Sequence, residues 1–299
     1  MESPRSSEPS VPDTLEANLP RWLEACERAA REGGRVLGTW MGRFGVENKG
    51  PRDLVTEADR ESQRAIRELL LDEFPDHAFV GEEGDDVRAT GSRQSAAAGG
   101  IAPLTWFVDP LDGTTNYVHG YPAYCVSIAL FRGDTPLVAT VYDPVAEECF
   151  VAAAGHGARC NGRPIRVSGT AELTESLVAV SFPAHTSVES VAVADFLAIL
   201  PLVRSVRRSG STALNLAWLA SGRLDAFWAR RIQSWDVAAG FLLVSEAGGS
   251  LGRFAIDAAS PPGPSVIPMA DPSFIAAASI PLLERLQKVF ASHDGRSGS

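Results

Sequence analysis

The residues with the clearest chemical meaning lie in one stretch, Trp106–Asn116. An apolar run there ends in Asp109, and Asp112 follows three residues later. Gly113 then allows the backbone to approach a ligand, and the two threonines after it offer N–H and hydroxyl donors. Two carboxylates beside such a turn are typical of a site for a hard cation with a phosphate next to it. A plain Asp-Gly turn that caps a helix requires no further carboxylate at the strand end, so it is the weaker interpretation.

Three other segments combine carboxylates with a predicted strand end or helix start. Glu82 and Glu83 follow a short apolar run, and Asp236 follows a tryptophan at the start of a predicted helix. Asp53–Asp59 holds three acids and a threonine, also at a helix start. Taken alone, each segment is equally typical of a solvated loop or an N-cap.

Taken together, these segments resemble a known family. Asp109–Thr115 and Trp235–Gly240 are similar to the two signature motifs of the inositol monophosphatase family, the lithium-sensitive, magnesium-dependent phosphatases. Four further motifs follow the family's order: Asp53–Asp59, Gly81–Glu83, Asn161–Ile165 and Gly210–Ala213. The resemblance extends from about Leu19 to Val289, which is nearly the whole chain.

The resemblance implies a set of metal ligands. Glu82, Asp109 and the carbonyl oxygen of Leu111 would hold a first Mg²⁺ ion, and Asp109, Asp112 and Asp236 a second. Glu82 would also face a third, water-rich site. All of these ligands are oxygen atoms, as Mg²⁺ prefers. We therefore expect two to three Mg²⁺ ions per site and inhibition by Li⁺.

The resemblance also implies a reaction, the hydrolysis of a phosphate monoester by metal-activated water. Thr114, hydrogen-bonded to Asp59, would activate the water with help from Glu82. The backbone N–H groups of Gly113 and Thr114 would cradle the phosphate, and Lys49 would lie near the metals or, equally well, be an exposed lysine.

The expected substrate is a small phosphorylated metabolite. Gly210, Ser211 and Thr212 occupy the segment that lines the family's substrate pocket, although they also suit a helix N-cap. Where relatives that act on inositol phosphates usually carry a glutamate, this chain has Ala229. A methyl group cannot accept a hydrogen bond from a sugar hydroxyl, so we expect broad specificity.

Several alternatives to this function stay open at the level of sequence. One is a phosphatase specialised for a sugar bisphosphate, histidinol phosphate or a 3′-phosphoadenosine nucleotide. Another is a non-catalytic regulatory protein on the same fold. Arg230 and Arg231 could bind a second phosphate or carboxylate, or they could be surface charge.

Hydrophobic periodicity predicts the elements that position these residues. Helices are expected over about 19–42, from Thr56 onward, and over 191–200, 212–220 and 237–247, with a last one opened by Asp271-Pro272. Gly133-Asp134 predicts a hairpin, and Asn161-Gly162 predicts a tight turn. The fold class is α+β, and the resemblance implies a layered α-β-α-β-α sandwich of the inositol monophosphatase/fructose-1,6-bisphosphatase type.

Composition narrows the setting. The chain has 299 residues, and its net charge of −10 argues against binding to nucleic acid or an anionic membrane. The four cysteines lack metal or redox spacing, and no apolar run suggests a signal peptide or membrane span, so we expect a cytoplasmic protein. Disordered tails are expected at 1–14 and 293–299, with an N-terminal α+β metal-binding half at 15–168 and a C-terminal α/β half at 169–292. The resemblance implies a homodimer.

Overall fold

A computed structural model describes residues 15–50, 53–84, 86, 102–183, 186–254 and 262–294. The predicted tail 1–14 and the part of the predicted tail 293–299 after residue 294 lie outside the described residues. The Gly-, Ala- and Ser-rich sequence of 84–103 also predicts a mobile surface loop, and most of that segment lies outside the described residues. Residues 48–50 and 53–54 are described by their backbone alone, so nothing is said of the side chains of Lys49 and Asp53.

Seven α-helices lie within the described residues. They are α1 Leu15–Trp40, α2 Glu57–Glu73, α3 Thr114–Val118, α4 Val191–Ile199, α5 Thr212–Ala220, α6 Ser234–Glu246 and α7 Ile280–Asp294. The second begins as predicted, because the side chain of Thr56 accepts from Ala58 N and Asp59 accepts from Thr56 N in a capping box. The last extends two residues into the predicted tail 293–299.

Fourteen strands are present in the same residues. They are β1 Val46–Gly50, β2 Asp53–Thr56, β3 Ala78–Gly81, β4 Leu104–Asp112, β5 Cys125–Arg132, β6 Thr135–Asp143, β7 Glu148–Ala153, β8 Ala158–Cys160, β9 Arg163–Pro164, β10 Leu177–Ser181, β11 Ser205–Arg207, β12 Ala226–Ala229, β13 Ser250–Gly252 and β14 Phe274–Ala277. The first two form a separate antiparallel pair.

The larger sheet contains β3 to β9 in chain order. β3 and β4 are parallel, and the other neighbours are antiparallel. Its central strands are buried on both faces, which is why they are continuously apolar. In β5, Val126, Ile128 and Leu130 pack under α1 and α2. Cys125 and Phe131 belong instead to the core on the opposite face.

The smaller sheet has the order β11-β10-β12-β14-β13 and completes the layers. Helices α5 and α6 contact strands of both sheets, so they lie between them. Helices α4 and α7 contact each other, and α7 also contacts β13 and β14 on the outer face. The alternation in β12 follows from this position, since Phe227 and Ala229 join the central core whereas Ala226 and Trp228 join the outer one. The predicted α-β-α-β-α sandwich is confirmed.

The predicted helix at Asp271-Pro272 is wrong. The residues that follow form strand β14, which pairs antiparallel with β12 and β13. The run from Phe274 to Ala278 is almost fully buried, so it fills a place in the sheet that an amphipathic helix could not. The helix begins after Ser279, whose hydroxyl accepts from Leu282 N at 3.3 Å.

Among the described residues, no helix is both long and apolar enough to cross a bilayer.

Candidate active site

Strand β4 carries both central carboxylates, and a β-bulge separates them. Asp109 pairs with Ser127 of β5 but Asp112 pairs with Cys125, so three steps along β4 match two along β5. In a regular strand, residues three apart point to opposite faces of the sheet. The extra residue changes that alternation and re-aims the side chains beyond it. Pro110 lies within the bulge, where its missing N–H removes no regular ladder bond.

Helix α2 holds the turn that carries Glu82. This half-buried residue extends the parallel pairing, since its N–H donates to Val108 O at 3.1 Å. Gln63 then clamps the turn from both sides. Its side-chain oxygen accepts from Glu83 N at 2.9 Å, and its amide nitrogen donates to Gly84 O at 2.8 Å.

The predicted hydrogen bond between Thr114 and Asp59 is present. The Thr114 hydroxyl lies 3.0 Å from Asp59 Oδ1 and 3.2 Å from the Leu111 carbonyl oxygen. Asp59 is fully buried, and its other oxygen accepts from the N–H and hydroxyl of Thr56 at 2.8 and 2.6 Å. The capping box of α2 thus fixes the carboxylate that Thr114 contacts.

Asp112 is held by the start of helix α5. Its Oδ2 accepts from Ser211 Oγ at 2.7 Å and from Ala213 N at 2.6 Å. The Sγ of Cys125 lies 3.8 Å from the same oxygen. These contacts join strand β4 of the first half to helix α5 of the second.

Asp236 completes the acidic group from the first turn of α6, where it accepts from Gln233 N at 3.0 Å. Burial raises the pKa of Asp109, and repulsion from Glu82, Asp112 and Asp236 raises it further. Burial also raises the pKa of Asp112, although its hydrogen bonds oppose the shift. The pKa of Asp236 is raised by burial and by the charges of Asp112 and Glu82.

This acidic group fits a divalent cation in its chemistry. In the described part of the chain, no three His, Cys, Asp or Glu side chains are already spaced to hold a metal ion. Four carboxylates of like charge nevertheless interact at one buried place, which raises three of their pKa values. A bound cation would replace this repulsion with attraction, and the oxygen donors suit Mg²⁺.

Gly113 makes the turn from β4 into α3 possible. Its φ of 101° is in the left-handed region. A Cβ atom there would come within 2.9 Å of the carbonyl oxygen of Ala123. Both observations require glycine, and they leave the N–H groups of the first turn of α3 beside the acidic group.

A cleft of about 610 Å³ opens next to this group. Asp112, Gly113, Thr114 and Asp236 line it, together with residues from the segments after β10, β11 and β12. Among the predicted substrate contacts, Gly210 and Thr212 line the cleft, whereas the fully buried Ser211 does not.

The other predicted substrate determinants lie elsewhere. Arg230 forms an ion pair with the fully buried Asp195 of α4, with its Nε 2.6 Å from Oδ2, and it covers the ring of Phe254. It is therefore part of the outer core rather than of the cleft. Ala229 is buried in β12 beside Ser181, which lines the cleft, and it brings no polar group there.

Sequence reasoning missed three residues near the site. Arg208 lines the cleft, Ser62 donates to the Pro110 carbonyl in the bulge at 3.1 Å, and Gln63 clamps the Glu82 turn. A signal existed for Ser62 and Gln63, because they are polar residues on the buried side of an amphipathic helix.

Comparisons with known proteins agree with this geometry. Residues 19–291 match the family model described as "Inositol monophosphatase family". The chain is 40% identical over 242 residues to an inositol-1-monophosphatase of Synechocystis sp., covering 80% of each chain. It is 36% identical over 236 residues to a fructose-1,6-bisphosphatase/inositol-1-monophosphatase of Aquifex aeolicus, covering 78% of this chain and 85% of that one.

A solved structure shows the same fold. The extragenic suppressor protein SuhB from Bartonella henselae superposes with a TM-score of 0.81 at 31% identity, covering 91% of this chain and 99% of that one. These similarities do not favour the two alternatives, a phosphatase specialised for another substrate and a non-catalytic regulatory protein.

Proposed function

Since this chain belongs to the inositol monophosphatase family and is therefore a phosphomonoesterase, we propose that it hydrolyses phosphate esters of several small polar metabolites with Mg²⁺. The observation that carries this proposal is the buried acidic group beside the Thr114–Asp59 hydrogen bond, at one end of an open cleft. Phosphoryl transfer needs little beyond positioning and charge stabilisation, and this arrangement supplies the groups for both.

The acidic group supports the proposal that Mg²⁺ binds at this site. Glu82, Asp109, Asp112, Asp236 and the carbonyl oxygen of Leu111 would hold two to three Mg²⁺ ions. When bound, such ions act as Lewis acids and lower the pKa of water. Lithium would inhibit by occupying one of these positions.

The chain's own residues would orient the water and the phosphate. The Thr114 hydroxyl has one hydrogen, and Asp59 accepts it, so a lone pair on Thr114 Oγ1 is free to accept from the attacking water. Asp59 is then placed to receive the proton through Thr114. The N–H groups of Gly113 and Thr114 would bind the phosphate oxygens, and Lys49 would add positive charge.

The range of substrates follows from Ala229, which offers no acceptor to a ring hydroxyl. Inositol 1-phosphate is included, as the name of the Synechocystis relative suggests. Fructose 1,6-bisphosphate is also included, as the name of the Aquifex relative suggests.

We also propose a cytoplasmic homodimer. The four cysteines are free, as is usual in a reducing compartment. Segment 188–202 exposes Val188, Leu197 and Leu200 by 80%, 58% and 48%, an apolar surface suited to a second copy. Light scattering during size-exclusion chromatography would measure the mass; a monomer at micromolar concentration would contradict the dimer.

The substitution Asp109→Asn tests the metal assignment. It keeps the acceptor for Leu111 N but removes the charge at the centre of the acidic group. We expect Mg²⁺-dependent turnover to fall about a thousandfold, or about 4 kcal/mol. Circular dichroism should show that the fold is retained.

Asp134→Asn in the exposed β5–β6 turn is the matched control and should keep full activity. Undiminished turnover by Asp109→Asn would contradict the assignment of metal ligands.

The proposed breadth of substrate specificity is tested by measuring the hydrolysis of four esters: inositol 1-phosphate, fructose 1,6-bisphosphate, histidinol phosphate and 3′-phosphoadenosine 5′-phosphate. A strong preference for inositol 1-phosphate would contradict it.

A further inference from the structure

Three of the described residues that line the cleft are charged. Two of them, Asp112 and Asp236, are carboxylates of the acidic group. Of the described residues that line the cleft, Arg208 alone carries a positive charge. In a chain of net charge −10, a cation placed in a substrate cleft is the natural contact for an anion.

Arg208 is available for such a contact. Other arginines of the C-terminal half are engaged: Arg223 pairs with Glu148, and Arg230 pairs with Asp195. Arg208 is exposed and forms no ion pair with any described residue. Its guanidinium therefore keeps its full set of donors for a ligand.

The local backbone places this guanidinium beside the cleft. Gly210 has a φ of 91°, and a Cβ atom there would lie 2.9 Å from Arg208 Nη1 and 2.9 Å from Asn116 Nδ2. The absence of a side chain at Gly210 therefore lets the guanidinium lie over the backbone of the cleft wall. Asn116 is fixed on the other side, since its amide donates to Ser209 O at 2.8 Å and to Ala123 O at 2.6 Å.

The remaining lining favours the same kind of ligand. Phe182, Val193 and Ile232 are apolar, and the hydroxyls of Ser181 and Thr212 share one hydrogen bond at 3.3 Å. Ala229 supplies no acceptor. Apart from the carboxylates of the acidic group, the lining thus offers a strong cationic donor and no further described carboxylate.

We propose that Arg208 binds a second anionic group, a phosphate or a carboxylate, on the leaving group of the substrate. This inference rests on the proposed phosphatase function and refines its substrate class. It describes a preference within a broad range, in which esters with a second anionic group are hydrolysed more efficiently than counterparts that carry only the reacting phosphate. Arg208 is thus a specificity-determining residue of the cleft.

Two matched substrate pairs test the proposal with the full chain and Mg²⁺. Fructose 1,6-bisphosphate is compared with fructose 1-phosphate, and 2-phosphoglycerate with glycerol 2-phosphate, so that each pair isolates the second phosphate or carboxylate. We expect Arg208→Gln to lower kcat/KM at least tenfold for the member with the second anionic group in at least one pair. The loss for the member that carries only the reacting phosphate should be less than twofold.

Arg207→Gln is the control, because it removes the same charge one residue away. Arg207 lies in β11 and donates to Ser205 Oγ and Val206 O rather than lining the cleft. The substitution Arg207→Gln should leave kcat/KM unchanged for both members of each pair. The pair that responds identifies whether phosphate or carboxylate is the second anion.

The inference is overturned if Arg208→Gln lowers kcat/KM equally for both members of each pair, which would place Arg208 on the reacting phosphate. An unchanged ratio of the two kcat/KM values also overturns it. If the unsubstituted protein hydrolyses none of the four esters, the proposed function fails instead, so the two failures are distinguishable.

Discussion

The hydroxyl of Ser211 contacts Asp112 of the acidic group, and Ser211 does not line the cleft. The sequence predicts Ser211 as a substrate contact, but the residue is fully buried and donates to Asp112 Oδ2 at 2.7 Å. Residues that orient a metal ligand commonly change metal affinity 10- to 100-fold when they are removed. This position therefore acts through Asp112.

Ser211→Ala should raise the Mg²⁺ concentration needed for half-maximal activity about tenfold while the substrate KM changes less than twofold. The same substitution removes the N-cap of α5, where Ser211 accepts from Leu214 N, and should cost about 1 kcal/mol of unfolding free energy. Steady-state kinetics across a Mg²⁺ titration measure the first effect.

Ser190→Ala separates the two effects, because Ser190 caps α4 through Val193 N in the same way but lies outside the acidic group. It should lose similar stability with no change in the Mg²⁺ requirement. A raised KM with an unchanged Mg²⁺ requirement in Ser211→Ala would instead favour the sequence-based interpretation of this residue.

At the scale of elements, the bulge in β4 and the turn after it arrange the reactive groups. Asp109 and Asp112 are three positions apart, and their relative orientation depends on one extra residue against β5. The turn then requires Gly113, because its φ is 101° and a Cβ atom would lie 2.9 Å from a backbone oxygen that cannot rotate away.

Gly113→Ala should lower the unfolding free energy by about 3 kcal/mol, of which about 1 kcal/mol is the strain of a positive φ and the rest the clash with Ala123 O. Turnover should fall as well, since the first turn of α3 would shift. Gly120→Ala is matched in backbone conformation, with φ of 67°, but nothing lies within 4 Å of its added methyl. The Gly120→Ala variant should lose only about 1 kcal/mol of unfolding free energy. Urea unfolding measures the loss in both variants, and equal losses would contradict the clash at Gly113.

Local patterns predicted most of these elements because their causes are local. The helix start at Thr56 and the turn at Asn161 and Gly162, with φ of 48° and 76°, both match. Strand β14 lies between β12 and β13 and pairs with both. This position depends on residues distant in the sequence, so the short segment that forms β14 does not predict it. The bulge is likewise a property of the pairing between two strands and is not visible in either alone.

The candidate site could also be predicted only in part from the sequence. Its acids belong to recognisable sequence motifs, so Asp109, Asp112 and Asp236 could be identified. Arg208 could not, because an exposed arginine gains a role only when the fold places it in the cleft. For Arg230, the sequence suggested either an anion contact or surface charge, but its side chain pairs with Asp195. That partner could not be identified from the sequence, because it is 35 residues away.

At the scale of the whole molecule, His77 links the layers of the N-terminal half. Its ring stacks on Phe74 at 4.9 Å and meets Trp22 of α1 and Trp106 of β4 edge-on or tilted. Burial lowers the pKa of His77 to about 4; the charge of Asp76 opposes this shift and that of Arg21 adds to it.

The unfolded chain binds a proton at His77 with a pKa near 6.5, whereas the folded chain does not until about pH 4. The folded state should therefore lose about 1–2 kcal/mol between pH 7 and pH 5 through this residue. Denaturant unfolding at the two pH values measures the loss, which should disappear in His77→Phe.

The exposed His156 provides the control, and His156→Phe should keep the dependence of the unsubstituted protein. Comparing variants at each pH also removes the contribution of the site carboxylates, whose raised pKa values act with the opposite sign. An identical pH dependence in His77→Phe and the unsubstituted protein would contradict the role of His77.

The distribution of the site over the chain has a consequence for how such a protein evolves. The bulge, Thr114 and their support from α2 come from the N-terminal half, whereas the cleft wall comes from short segments after β10, β11 and β12. Replacements in those segments can retune which molecules are accepted while the bond-breaking groups stay in place. One ancestral reaction can thus be inherited by lineages with different metabolic needs, each altered at positions such as 208.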